Sequence, residues 1–340
     1  MRPEPAVPVF LLLFLASACV RPIAAFTCAD STQCNGGICQ PTGLCSFDDA
    51  SCASGQRYGT ASGDAGDVCV EVDPPMCDLA RPFGTPDLVA GIQSTTEDGT
   101  LRLSVDEKTG YFFSARGASG DKKLLYTATR PAVLGRFDVP VPLTMLNLNT
   151  QYHPSITNEG RDLFFATYRN SNDIYQATRA SASVSFLAAP QPVTGINSAA
   201  SEVQPYVTHD GKTIYFVRDE IKVFRATNPD GAGFTGPAEV GEINTSIADA
   251  DPVPSDDGLT LYWASARPGG AGDLDIWEAH RATTDMPFGD FAPVPNVNSP
   301  AIDAPSDISR DGCRLYLTSS RSKRIAIYVA ARPPLVAPGR

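Results

Sequence analysis

The chain has 340 residues, a formal net charge of −11 and a pI near 4.7, so it offers no basic face of the kind a nucleic-acid partner requires. Its 29 Pro and 28 Gly fit a turn-rich chain, and its 9 Cys exceed what an ordinary globular core uses. At this length more than one domain is expected.

Residues 1–18 combine one Arg with the apolar run from Val9 to Leu15 and the small residues Ala16, Ser17 and Ala18. The run is too short to span a membrane, so it reads as a secretory signal. Leu15-Ala-Ser-Ala-Cys19 resembles a bacterial lipobox, departing from it at Ala16, and that resemblance makes Cys19 the lipidated first residue of the mature chain. Val20, not an acidic residue, stands directly after Cys19, so the outer membrane is the expected destination. The alternative is ordinary cleavage near Ala25, leaving the chain in the periplasm or at the cell surface.

Residues 19–80 hold Cys28, Cys34, Cys39, Cys45, Cys52, Cys69 and Cys77 with few core-forming residues between them. In an exported segment this small, such density predicts disulfides in place of a core. Zinc is the minor reading, because Cys-x2-Cys spacing and His are both absent. Seven is odd, and apart from Cys19, which is taken up by lipidation or lost with the signal, Cys313 is the one further Cys. All eight pair if one bond reaches across the chain, with Cys77 as the natural partner.

From residue 81 to 332 the chain repeats itself. Gly160 leads to Phe164, Gly211 to Tyr215, Gly258 to Tyr262 and Gly312 to Tyr316, while Glu107 takes the Gly place ahead of Tyr111. The aromatic positions are 53, 51, 47 and 54 residues apart, a period of about 50 that marks a repeat architecture. Nine residues before each turn stands Asp98, Gln151, Glu202, Asp249 or Asp303, preceded by a polar pair such as Asn197-Ser198 or Asn244-Thr245. After the aromatic comes Arg116, Arg169, Arg218, Arg267 or Arg321. A second run then ends at Tyr126, Tyr175, Phe224, Trp277 or Tyr328, and four residues on lies Arg130, Arg179, Asn228, Arg281 or Arg332. The runs are short, β-branched and aromatic, bounded by Gly, Pro, Asn and Asp, so they read as strands. No helical stripe of useful length is present.

An Asp-Gly turn, an apolar-aromatic strand, an Arg, then Asp173-Ile174-Tyr175 or Asp275-Ile276-Trp277, with Pro154, Pro205 or Pro252 at the strand opening, resembles the TolB-type, WD40-like (PD40) repeat over residues 81–332. The resemblance implies an all-β β-propeller, its blades packed face to face and its ring closed. It says little of function, since such relatives include binding modules, assembly scaffolds, peptidase-gating domains and lyases. About 252 residues at this period give five blades, with six as the runner-up. Arg81 to Ser94 matches the end of a repeat, and the fifth unit lacks that ending. The N-terminal stretch is therefore expected to complete the last blade, a Cys77–Cys313 bond pinning the closure. Residues 333–340 read as a frayed tail.

Asp98, Glu202, Asp249 and Asp303 recur at one blade position, so symmetry gathers them at one end of the channel or places them in the seams between blades. A ring of oxygen ligands suits Ca²⁺ or Mg²⁺. The simpler reading is that each carboxylate accepts backbone N–H bonds from an inter-blade connection, because a functional site seldom needs every copy. Arg169 with Asp173, and Arg267 with Asp273 or Asp275, read as exposed ion pairs of the fold. Positions that differ between copies are the better candidates for function. Before the strand-opening Pro stand His153, Gln204 and Asp251, a varied polar set suited to a channel mouth. His209 reads as a turn residue and His280 as part of an outer run.

A nucleophile elbow, HExxH, a phosphate-binding Gly loop and an EF-hand loop are all absent. The expected function is a non-enzymatic envelope module that binds a protein or a glycan, without a cofactor and with no nucleic-acid partner. Two alternatives stand beside it: a propeller enzyme such as a polysaccharide lyase or lactone hydrolase, and a purely structural surface lipoprotein.

Overall fold

The computed structural model describes residues 26–28, 31–39, 44–49, 51–52, 56–63, 66–70, 76–118, 122–146, 150–157, 159–168 and 172–335. The signal, Cys19 and Arg169 lie outside them. The chain divides into two compact units, residues 1–72 and 73–340, so Cys77 belongs to the larger one.

The smaller unit is held by covalent bonds. One 3-10 turn, Ser31–Cys34, precedes a three-stranded sheet of β1 (Ile38–Cys39), β2 (Cys45–Asp48) and β3 (Gln56–Tyr58). Cys28–Cys39, Cys34–Cys45 and Cys52–Cys69 are disulfides. The sulfur atoms of Cys28, Cys34 and Cys45 lie close together, and bonding in these disulfides takes up the thiolates that a metal would need.

The larger unit is a five-bladed β-propeller. Blade 1 is β5 (Asp98–Leu103), β6 (Thr109–Ser114), β7 (Leu124–Thr129) and β8 (Val141–Pro142). Blade 2 is β9 (Gln151–Ile156), β10 (Asp162–Tyr168), β11 (Asn172–Thr178) and β12 (Gln191–Pro192). Blade 3 is β13 (Glu202–Val207), β14 (Thr213–Arg218), β15 (Lys222–Thr227) and β16 (Thr235–Glu239). Blade 4 is β17 (Asp249–Pro254), β18 (Thr260–Ser265), β19 (Asp275–His280) and β20 (Gly289–Pro293). Blade 5 is β21 (Asp303–Ile308), β22 (Arg314–Ser319) and β23 (Ala326–Ala331), with β4 (Asp87–Leu88) as its outer strand.

Each blade is an antiparallel meander, and the first strands form the inner wall. β5 packs on β9, β9 on β13, β13 on β17, β17 on β21, and β21 back on β5. Tyr111, Phe164, Tyr215, Tyr262 and Tyr316 are all buried, as are the residues that follow them: Phe112, Phe165, Phe216, Trp263 and Leu317. Successive strand residues point to opposite faces, so burial of both kinds means that each blade is covered on both sides.

Closure uses the N-terminal stretch. Tyr328 pairs with Leu88 and Val329 with Asp87, and the Cys77–Cys313 disulfide joins this stretch to the residue just ahead of the second strand of blade 5. The start of the expected tail is paired rather than frayed: Asp78 N donates to Pro333 O at 3.0 Å and Leu335 N to Met76 O at 2.7 Å.

The first unit's missing Asp-Gly turn has a structural counterpart. Glu107 holds φ of 55° where the other copies use Gly. Its carboxylate accepts two bonds from Arg314, at 3.0 and 2.6 Å, and one from Tyr316 Oη at 3.0 Å, all buried between blades 1 and 5. Burial and the Glu107 carboxylate together push the Tyr316 phenol well above its ordinary range.

Candidate functional site

The first strand of every blade carries a β-bulge at the place where sequence variation concentrates. The bulge residues Thr100, His153, Gln204 and Asp251 have φ between 47° and 54°, the left-handed region that non-Gly residues seldom occupy. Pro154, Pro205 and Pro252 follow directly, inside the strand rather than at its opening, because a bulge frees a residue from donating to the ladder. Bulges re-aim side chains, and here the aim is the propeller axis.

Contacts between blades that are not neighbours show this. Arg102 of blade 1 lies over the Tyr206 ring of blade 3, 4.3 Å from its centroid. Tyr206 Oη donates to Asp307 Oδ1 of blade 5 at 3.2 Å, and His153 Nε2 of blade 2 stands 4.0 Å from Asp251 Oδ1 of blade 4. In a ring of five these pairs meet across the axis. His153, Gln204 and Asp251 are thus brought together, with Gln204 Nε2 donating to Asp251 Oδ2 at 3.0 Å and Asp251 N donating to Gln204 Oε1 at 3.2 Å.

Arg102, Tyr206 and Asp307 escaped the sequence reading. They stand four residues after the repeat carboxylate, two beyond the bulge, where the copies carry Arg102, Ser155, Tyr206, Val253 and Asp307. The same test of variation between copies finds them once it is carried two residues further. All three are less than 5 % exposed.

Burial governs the electrostatics. Desolvation holds Arg102 below its ordinary pKa, offset by Asp307, Tyr206 and Asp251. Burial pushes Asp251 up to about 7 against the pull of Arg102, and raises Asp307 likewise. Burial and then Arg102 lower His153 to about 3, so its contact with Asp251 is polar rather than ionic at neutral pH. The Tyr206 phenol is driven well above its usual range by burial and by Asp307. Asp307 spends its oxygens on Leu103 N at 2.8 Å, Ile308 N at 2.9 Å and Tyr206. Arg102 is left with Nε and Nη1 buried and unpaired, and His153 Nδ1 is in the same condition. Unpaired buried donors cost roughly 1–3 kcal/mol each.

The repeat carboxylates lie elsewhere. Asp98 Oδ2 accepts the Ser94 amide and hydroxyl, both at 2.7 Å, while Oδ1 accepts Ser114 at 2.6 Å and Arg116 at 2.7 Å. Asp249 bonds Thr245, Trp263 and Arg267; Asp303 bonds Ser299 and Arg321; Glu202 bonds Ser198 and Arg218. Each Ser or Thr lies in the connection arriving from the preceding blade. Beside it Asn197, Asn244 or Asn298 brackets the third strand of that blade at Ile174, Val223 or Ile276. The polar pair is therefore a joint between consecutive blades, and its donors fill the carboxylate oxygens that a divalent cation would need. The Arg residues also depart from expectation: Arg267 pairs with Asp249, not Asp273 or Asp275, and lies over Trp263 rather than in solvent. In blade 2 Gln151 takes the carboxylate's place and donates to Leu146 O at 2.8 Å.

The comparisons show the fold and no family. No protein-family model matches the chain, and no curated protein matches it by sequence. Among solved structures, a glycosyl hydrolase from Bacteroides ovatus is 13 % identical with a TM-score of 0.50, over 79 % of this chain and 98 % of that one. TolB from Acinetobacter baumannii is 16 % identical with a TM-score of 0.42, over 71 % of this chain, which spans 56 % of that protein's length. The α-L-arabinofuranosidase PaAbf62A from Podospora anserina is 12 % identical with a TM-score of 0.47, over 77 % of this chain and 99 % of that one.

Proposed function

We propose that this chain is an exported cell-envelope protein, anchored through Cys19, whose repeats of the TolB-type, WD40-like kind build a non-enzymatic binding module. The axial mouth takes an acidic group presented by a protein or glycan partner. One observation carries the reading: the Arg102 guanidinium is buried on the axis with two nitrogens unpaired, close to His153 and Asp251. An entering carboxylate or phosphate would supply the missing acceptors once the mouth side chains turn aside, and charge-assisted bonds of this kind are the strong ones. Four disulfides support an oxidising compartment, and no helix among the described residues is long and apolar enough to cross a membrane.

The test is a thermal-shift and calorimetric screen of the purified chain against carboxylate-, sulfate- and phosphate-bearing peptides and sugars, in parallel with Arg102→Met. That substitution also takes from Asp251 and Asp307 the cation that compensates them, so a urea midpoint is measured for both forms and binding is compared where both are folded. Binding by the wild type that disappears in Arg102→Met supports the reading. Equal binding by both forms, or none by either, refutes it.

A second reading, a propeller enzyme, draws on Asp251, since a carboxyl titrating near 7 suits general acid–base work. Turnover of a polysaccharide or lactone that Asp251→Asn abolishes would establish it in place of the first.

A further inference from the structure

Four blades share one device at the outer end of the seams. Arg130, Arg179, Arg281 and Arg332 each lie over a Phe of their own blade, 4.4, 4.4, 4.3 and 3.9 Å from the centroids of Phe137, Phe186, Phe288 and Phe83. Each donates Nε to the carbonyl of the turn residue, Glu107, Gly160, Gly258 or Gly312. Three also reach a phenol on the preceding blade: Arg130 to Tyr316 at 3.1 Å, Arg179 to Tyr111 at 2.7 Å and Arg332 to Tyr262 at 3.4 Å. The guanidinium thus fills and ties the seam.

Blade 3 breaks the pattern on both sides of one seam. Asn228 stands in the Arg position, its backbone N donating to Lys212 O at 2.7 Å just as Arg281 N donates to Leu259 O. The facing residue of blade 2 is Phe164 in place of Tyr. Phe234, the ring that the missing Arg would cover, meets Phe164 edge-on at 5.8 Å. With filler and partner both gone, a cleft of about 810 Å³ opens between blades 2 and 3. That volume lies within the usual range of ligand sites.

The lining sets the ligand class. Four carboxylates face three permanent cations, Arg161, Arg179 and Lys212, so neither a polyanion nor a polycation is drawn in. Gln176 and Asn228 add planar amides, and Thr157 and Thr194 add hydroxyls. Donors and acceptors scattered along an open groove suit a ligand whose groups both donate and accept, which is the chemistry of sugar hydroxyls. We propose that this seam is a second ligand site, separate from the axis, that holds a neutral oligosaccharide. It rests on the binding-module reading only in that the chain works by holding a ligand, and it does not depend on Arg102.

The experiment rebuilds the missing device. Phe164→Tyr with Asn228→Arg should restore the stacked Arg and its phenol partner and close the cleft, at the loss of the bond from Gly233 N to Asn228 Oδ1. Wild type, this double variant and Arg102→Met, each as the full disulfide-bonded chain, are applied to an array of neutral oligosaccharides, with a urea midpoint measured for each. Binding by wild type and Arg102→Met, weakened about tenfold or more in the seam variant at an unchanged or higher midpoint, supports the site. If the double variant is instead destabilised, Lys212→Ala, on the exposed lining, must show the loss. Wild type that retains no neutral oligosaccharide overturns the proposal, and so does a filled seam that binds as wild type. Loss confined to Arg102→Met places the sugar on the axis, overturning the seam site while leaving the axial reading intact.

Discussion

Replacing Asp251 with Asn should stabilise the protein at neutral and alkaline pH and leave it unchanged in acid. Burial raises this carboxyl from 3.8 to about 7, with Arg102 opposing the rise. Because the folded-state pKa lies above the unfolded one, the folded chain holds a proton that the unfolded chain releases between about pH 4 and 7. Stability therefore falls as pH rises through that window and levels off above it. A shift of about three units at about 1.4 kcal/mol each makes the full loss on the order of 4 kcal/mol. Asn keeps the shape, its amide oxygen can still accept from Gln204 Nε2, and the Asp251 backbone bond to Gln204 Oε1 is untouched. It cannot ionise, so the loss disappears. The assay is urea denaturation of wild type and Asp251→Asn with disulfides intact, from pH 4 to 8. The two should coincide near pH 4 and diverge progressively, the variant being more stable at pH 8. Parallel curves across the range, or a variant less stable at pH 8, would falsify the assignment of a buried, costly carboxylate to this position.

Other outcomes are expected elsewhere in the ring. Glu107→Ala takes two of the bonds of buried Arg314, leaving it only the more exposed Asp311, and should cost about 3 kcal/mol by equilibrium denaturation, well above the cost of an exposed pair. Changing Cys77 and Cys313 together to Ser frees a loop that the bond closes over 236 residues, and a loss of about 2–5 kcal/mol is expected, with early proteolysis near residues 76–90 as its signature. Thr245→Ala removes the hydroxyl bonded to Asp249 at 2.7 Å and should cost about 1 kcal/mol, whereas Asp249→Ala also strips the partner of Arg267 and should cost several times more. Cys19→Ala should abolish lipid labelling and release the chain from membrane fractions; unchanged fractionation would favour cleavage near Ala25.

Much of the architecture was legible in the order of residues because a propeller repeats its demands. Every blade needs a turn ahead of its second strand and a buried aromatic after it, and four of the five use a carboxylate to receive the incoming connection with an Arg beside it, so the same residues return about every 50 positions. Five blades followed from that spacing. The closure of blade 5 by Asp87–Leu88 followed from an ending with no beginning at one end of the chain and a beginning with no ending at the other. Cysteine parity pointed the same way for Cys77 and Cys313.

The axial cluster was half legible. His153, Gln204 and Asp251 stood out as departures from the repeat, but spacing along a strand says nothing about which blades face each other across a ring. Only closure of the ring sets Arg102 against Tyr206 and Tyr206 against Asp307, partners 104 and 101 residues apart in the chain. The partner of Arg267 was beyond reach for a different reason: sequence proximity favoured Asp275, whereas the register of the first two strands of blade 4 sets Asp249 opposite Ser265 and within 2.9 Å of Arg267. The repeat period, with the family resemblance its residues carry, and the cysteine count determined a disulfide-bonded β-propeller of five blades. The tertiary structure decided which side chains meet on its axis and which seam stands open, because both depend on distances between blades that the local sequence does not encode.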